Sequence, residues 1–158
     1  ISTNFQMIRV NGQHRGKYSN AETGKYFPIH REKYRGEYPP MFKSKLEHRF
    51  MLYCDRNKDI VCWQYETVHI KYMDRSSNPP KLRNYFIDFV IWVSDGKGGT
   101  KKIWVEVKHS SEVKRPVNES KTKNVITWIK NKSKWEQAKK TARLNGAVFR
   151  VITEKQLI

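Results

Sequence analysis

The chain has 158 residues, 37% of them hydrophobic and 13% aromatic, and its 32 Lys and Arg against 15 Asp and Glu give a net charge of +17. That length predicts one domain with a real core, and the aromatic content excludes a disordered chain. The charge makes nucleic acid the leading partner ahead of an acidic membrane surface, no apolar run approaches the ~20 residues that span a bilayer, and no signal segment is visible.

Taken in chain order, residues 1–42 carry neither helical nor strand periodicity. They open on Ile1 rather than Met, which places the native start upstream. Gly12, Gly16, Gly24, Gly36, Pro28, Pro39 and Pro40 are scattered among basic and tyrosine residues. We read an extended basic arm that docks along the domain or on a partner, or a partly disordered tail. Residues 43–158 are the expected folded domain.

Ser44-Lys45-Leu46-Glu47 has the spacing of a capping box and opens the first helix, with Leu46, Phe50, Met51, Tyr53 and Cys54 as its apolar stripe. Ile60-Val61-Cys62-Trp63 and the run from Thr67 to Tyr72 read as strands on either side of Gln64-Tyr65-Glu66. Residues 73–82 read as a loop. Cys54 and Cys62 are the two cysteines, and with His48 and His69 they lack the paired short spacings of a zinc site. A reducing compartment follows from so few cysteines.

Two longer strands come next, residues 84–92 and 102–108, joined by Asp95-Gly96-Lys97-Gly98-Gly99. Strand side chains alternate between faces. Tyr85, Ile87, Phe89, Ile91 and Val93 are therefore expected to share one apolar face with Ile103, Val105 and Val107. Asp88, Glu106 and Lys108 fall on the other, beside Phe86, Val90, Trp92 and Trp104. If the five loop residues form the hairpin turn, Ser94 pairs with Thr100 and Asp88 stands across from Glu106, with Cβ atoms roughly 5 Å apart. Two carboxylates so close repel unless a proton or cation lies between them.

A polar connection through Pro116 leads to a helix over residues 119–132. Ser133-Lys134-Trp135-Glu136 repeats the capping-box spacing and predicts a further helix ending at Gly146. Ala147-Val148-Phe149-Arg150-Val151-Ile152 closes the chain as a strand. The fold class is α/β, a mixed sheet with helices against it.

These residue types suit phosphodiester hydrolysis. A divalent cation that neutralises the phosphate and acidifies a water needs hard oxygens, which Asp88, Glu106 and the Val107 carbonyl can supply. Lys108 can orient the attacking water or stabilise the developing charge. The bland alternative is an ordinary Glu/Lys pair on a strand edge, but Asp88 between Phe86 and Val90 would then be poorly solvated. Glu47 fits either a helix cap or a helical carboxylate of the metal cluster. Glu66 reads as a turn residue before it reads as a further ligand, and Gln137 as an exposed helical glutamine before a site residue. Lys134, Lys139, Lys140 and Arg143 belong to a stretch whose charge is almost all of one sign, which points to contact with the phosphates of double-stranded DNA. No helix-turn-helix or finger signature suggests sequence readout.

A strand aspartate, a Glu-x-Lys on the neighbouring strand and a preceding helical glutamate resemble the PD-(D/E)XK nuclease superfamily. Within it the chain resembles the head completion nuclease family of tailed phages, which is similar to the TnsA endonuclease. The resemblance rests on Lys33-Tyr34-Arg35-Gly36, Ser44-Lys45-Leu46-Glu47, Trp63-Gln64-Tyr65-Glu66-Thr67 and Asn84-Tyr85-Phe86-Ile87-Asp88. It continues through Trp104-Val105-Glu106-Val107-Lys108, Lys134-Trp135-Glu136-Gln137-Ala138 and Phe149-Arg150-Val151-Ile152-Thr153-Glu154. It runs from about Lys25 to the C-terminus.

This resemblance implies a restriction-endonuclease-like fold and an Mg²⁺-dependent (or Mn²⁺-dependent) DNA endonuclease. Asp88, Glu106 and Lys108 would take the catalytic positions and Glu47 the helical acidic one. It further implies action on the packaged DNA end before tail attachment, portal or neck proteins as partners, and a location in the virion head or neck and in the host cytoplasm during assembly. Two other readings share the fold: a catalytically idle DNA-binding protein of the virion neck, and an endonuclease of the junction-resolvase or transposase type.

Overall fold

The structure is a computed structural model that describes residues 23–118 and 122–157. The arm expected over residues 1–42 therefore lies outside the described residues up to residue 22. From residue 23 onward it is docked. Strands β1 (Gly24–Lys25) and β2 (Met41–Phe42) pair antiparallel and bracket a short 3₁₀ turn at Arg31–Lys33. Tyr26 and Tyr34 are buried, and Tyr34 packs on Trp63 with ring centroids 4.6 Å apart.

Helix α1 (Lys45–Arg56) begins where the capping pattern predicts, with Ser44 Oγ accepting the Glu47 N–H at 3.1 Å. Its last turn holds the preceding segment in place. Asp55 is fully buried and accepts from the Tyr26 hydroxyl at 2.6 Å, the Ile29 N–H at 2.8 Å and the His30 N–H at 2.9 Å. Lys33 Nζ donates to the carbonyls of Cys54, Asp55 and Asn57, which α1 itself leaves without intrahelical donors. A cation at a helix C-terminus also complements its dipole.

The main sheet runs β3 (Ile60–Asp74), β4 (Lys81–Ser94), β5 (Thr100–Val107) and β6 (Ala147–Ile152) in that order. The first three are antiparallel, and β6 joins β5 in parallel after the crossover helix α2 (Thr122–Leu144). A parallel pair needs such a crossover, whereas β4 and β5 are joined by the predicted glycine turn. Ser94 lies opposite Thr100, the Asp95 carboxylate accepts the Lys97 and Gly99 N–H groups, and Gly96 and Gly98 take positive φ. Helix α1 covers one face through Phe50 and Met51 against Phe89, Ile91, Ile103 and Val105. Helix α2 covers the other through Ala138 and Ala142, small residues that let it lie close to Val90, Trp104 and Phe149. This layered mixed sheet is the fold class expected.

Three local expectations change. The two strands expected around residues 64–66 are one strand with a register shift between Tyr65 and Val68, where Glu66 takes φ 53°. A bulge absorbs the irregular stretch without ending the strand. The loop expected over residues 73–82 shrinks to residues 75–80. The two helices expected after residue 119 are the single helix α2: the Ser133 hydroxyl donates to the Ile129 carbonyl one turn back at 2.9 Å, and Glu136 pairs with Arg75 at 3.3 Å. A serine satisfied by its own helix carries no start signal. Gly146, with φ 69°, does end α2 as read.

Asp55→Ala leaves three donors facing an apolar gap, so urea unfolding should show a loss of about 3 kcal/mol and earlier tryptic cutting at Lys25 or Arg31. A loss below about 0.5 kcal/mol would mean that the segment is held by its aromatic rings alone.

Candidate active site

The β4–β5 ladder stops at Phe89 and Val105. One residue further the two strands part, and Asp88 meets Glu106 as the register predicts. Their carboxyl groups share a hydrogen bond, and Asp88 Oδ2 accepts the Val107 N–H at 2.9 Å. Asp88 is half-buried and Glu106 is 5% exposed. Lys108 follows immediately after β5, tied by its N–H to the Ile152 carbonyl at 2.9 Å.

One residue of the site was not anticipated. Tyr85 donates its hydroxyl to Glu106 Oε2 at 2.5 Å. Strict alternation assigned Tyr85 and Ile87 to the face of Phe89 and Ile91. Instead Tyr85 and Ile87 pack with Trp104 and Ala138 on the α2 face, while Phe86 is 52% exposed and stacks on His69. The bulge in β3 and the parting of β4 from β5 change the phase of β4 at Asp88, and bulged strands bend and twist more. No sequence signal marked the change. Lys134 also joins the group from α2, its Nζ 5.3 Å from the centre of the Tyr85 ring.

The electrostatics follow from the burial. Desolvation, then the charges of Glu106 and Glu47, push the Asp88 carboxyl well above the usual carboxylate range. Desolvation raises Glu106 too, opposed by the Tyr85 hydroxyl and by the charges of Lys108 and Lys134. Both shifts favour the protonated form, so the pair keeps a shared proton to higher pH than two isolated carboxylates would. Burial lowers Lys134, with Lys108 and Lys130 acting in the same direction and Glu106 and Asp88 against it.

Glu47 is engaged as a structural group. Its Oε2 accepts from the Lys43 N–H at 2.7 Å and the Tyr65 hydroxyl at 2.8 Å. The return bond of the capping box thus goes one residue before the cap, and the same carboxylate reaches Asp88 by charge. Glu66 forms an ion pair with Lys43 at 2.6 Å, on the bulge. Gln137 donates its amide to the Thr141 hydroxyl at 3.0 Å, one turn beyond Lys134. Lys139, Lys140 and Arg143 are exposed on the outer side of α2. Beside Lys108 a cleft of about 480 Å³ opens between the start of α1 and residues 107–112, lined by Lys45, Arg49 and His109 as well as Glu47, Glu112 and Glu154.

Among the described residues no three His, Cys, Asp or Glu side chains form a ready metal cluster. Magnesium does not require one: it is commonly held by one or two carboxylates, with water and phosphate oxygens completing its shell. A proton-sharing carboxylate pair with two lysines nearby fits that donor set, because the shared proton marks where a cation would relieve the same repulsion.

Residues 57–154 match the family described as TnsA-like endonuclease N terminal. The chain is 31% identical over 147 residues to the head completion nuclease of Enterobacteria phage T4, a match covering 87% of this chain and 94% of that protein. No solved structure gives a significant match.

Between the ordinary carboxylate range and the raised value of Asp88, the folded chain holds a proton that the unfolded chain releases. Stability without metal must then fall as pH rises through that window. Asp88→Asn should flatten this decline and raise the melting midpoint at pH 8 by a few degrees, at about 2–4 °C per kcal/mol. An unchanged pH slope on calorimetry would show that the two carboxyl groups ionise independently.

Proposed function

We propose that this chain, which belongs to the TnsA-like endonuclease family, is a metal-dependent DNA endonuclease of a tailed phage. The observation that carries the reading is the hydrogen-bonded Asp88–Glu106 pair at the fork of the sheet, with Lys108 beside it. In a member of a nuclease family, DNA is the substrate to which such a site answers. Similarity to a head completion nuclease over nearly its whole length supports a task at the packaged DNA end before tail attachment. Portal or neck proteins would then be the protein partners, with the chain in the host cytoplasm during assembly and in the virion head or neck afterwards. Among the described residues no helix is long and apolar enough to cross a membrane.

Asp88 and Glu106 would hold Mg²⁺, or Mn²⁺, with the Val107 carbonyl as a further oxygen ligand. Such an ion supplies positive charge to the scissile phosphate and acidifies a water. The remaining work falls to the chain. The Val107 N–H fixes the rotamer of Asp88, so one carboxylate oxygen is spent on the backbone and the other is left to coordinate. Lys108 donates to the attacking water or to a phosphate oxygen and stabilises charge that grows during attack. Glu47 keeps α1 in register through Lys43 and Tyr65 and adds negative charge beside Asp88, which favours a cation there. The exposed Lys139, Lys140 and Arg143 would contact phosphates along α2 and carry no base preference.

Purified protein should nick plasmid with Mg²⁺ and not with chelator. Asp88→Ala, Glu106→Ala and Lys108→Ala should each lower the rate at least about 100-fold without loss of folding. Wild-type rates in all three would leave an idle DNA-binding protein as the better description. Glu47→Gln keeps the hydrogen bond from Lys43 but not the charge, so normal cleavage with unchanged stability would reduce Glu47 to a cap.

The grip on DNA has its own test. Affinity should fall linearly with salt on logarithmic axes, and replacing Lys139, Lys140 and Arg143 with Gln should flatten the slope by about 0.9 per lost contact, equally on unrelated sequences. A triple variant with the parent slope would place the DNA path elsewhere.

A further inference from the structure

Lys134 does not stand where a solvated helical lysine would. Asn131, one turn before it, is 3% exposed, and Ala138, one turn after it, is fully buried against the sheet. Its ammonium lies over the Tyr85 ring at 5.3 Å, and the Tyr85 hydroxyl grips Glu106 at 2.5 Å. The carboxylate pair is thus reached by lysines from two directions, Lys108 from the end of β5 and Lys134 from α2. The ring quadrupole attracts that ammonium, and so do the charges of Glu106 and Asp88. Desolvation and repulsion from Lys108 and Lys130 act against it.

Charge balance gives the second lysine a purpose. With Glu47 beside them, three carboxylates face two ammonium groups, and a divalent ion leaves one positive charge to meet the phosphodiester and the attacking hydroxide. A site with Lys108 alone would have less positive charge to set against the dianionic phosphorane. Tyr85 contributes differently. Its single hydroxyl occupies Oε2 of Glu106 and so leaves Oε1 to Asp88 or to a cation, the outer partner that fixes a ligating carboxylate.

Resting on the nuclease reading above, we infer that Tyr85 and Lys134 complete the cleavage site. Tyr85 is a positioning residue that aims Glu106 at the cation, and Lys134 contacts a non-bridging oxygen of the scissile phosphate. Lys134 is then part of the reaction and not of the DNA grip formed by the outer side of α2.

Lys134→Met keeps the stem that covers Tyr85 and removes only the ammonium, and Tyr85→Phe removes only the hydroxyl. Single-turnover cleavage by Lys134→Met at saturating DNA should be slower by about 100-fold, the scale of losing one charge-stabilising donor. DNA affinity in chelator should fall only modestly, with the salt slope flattened by at most about 0.9, the share of one phosphate contact, and Lys134→Arg should recover part of the rate. Tyr85→Phe should need about tenfold more Mg²⁺ for half-maximal cleavage, the usual scale for an outer partner of a ligand. It should also show a smaller rise in melting temperature when Mn²⁺ is added without DNA. A Lys134→Met enzyme that binds more weakly yet cleaves at the parent rate once saturated would overturn the assignment of Lys134. An unchanged Mg²⁺ requirement and Mn²⁺ shift in Tyr85→Phe would overturn that of Tyr85. Failure of the wild-type protein itself to nick DNA would strike the nuclease reading instead, with the Mn²⁺ shift still reporting on Tyr85.

Discussion

Two carboxyl groups in hydrogen-bond contact at a half-dry fork cannot both stay ionised, and the surroundings of Asp88 and Glu106 answer that constraint. The sheet opens where they meet, because β4 pairs with β5 only as far as Phe89 and Val105. The Val107 amide donates to Asp88, the Tyr85 hydroxyl donates to Glu106, and Lys108 and Lys134 bring positive charge. A buried carboxylate stripped of its partners costs several kcal/mol, so each neighbour stabilises the fold while leaving the pair short of one cation. The residual strain is the repulsion that the shared proton screens and that a divalent ion would screen better.

That arrangement depends on three tethers outside it. Asp55 and Lys33 bind the segment before α1 to the end of that helix, and Glu47 ties the helix start to Lys43 and Tyr65. At the far end of the long hairpin, Asp74 is fully buried with Arg83 Nε at 2.6 Å and Lys130 at 3.9 Å. Burial alone would raise Asp74, but the hydrogen bonds from Ser76 and Arg83 outweigh it and hold the carboxyl below its usual range. Lys130 sits one turn before Lys134 on α2, so its pairing with the buried Asp74 holds that part of the helix to the hairpin. The acidic pocket thus lies within a strongly basic chain, a field that would draw a polyanion toward carboxylates that otherwise repel it.

Much was legible from local rules. The Ser44 cap, the glycine turn that pins Ser94 to Thr100, and the stop at Gly146 each follow from chemistry within a few residues. Register counting from that turn is what paired Asp88 with Glu106. The misreadings have one physical origin. Ser133 carries a capping pattern inside an unbroken helix, and Gln64-Tyr65-Glu66 looks like a break inside an unbroken strand. In both cases the tertiary structure supplied a partner, Arg75 for Ser133 and Glu136 or the β4 backbone for residues 64–66, that overrode the local signal.

The residues of the site divide along the same line. The amino-acid sequence by itself determined the charge, the hairpin and the opposition of its two carboxylates, because these depend on composition, turn chemistry and a period of two. Only the tertiary structure decided that Tyr85 would hold Glu106, that Lys134 would leave the basic helix surface for the carboxylates, and that Glu47 would bond to Tyr65 across the fold. Those contacts join elements far apart in the chain and depend on a bulge and a diverging strand. The alternation rule assumes a regular ladder, and it fails at the position where the ladder opens to make the site.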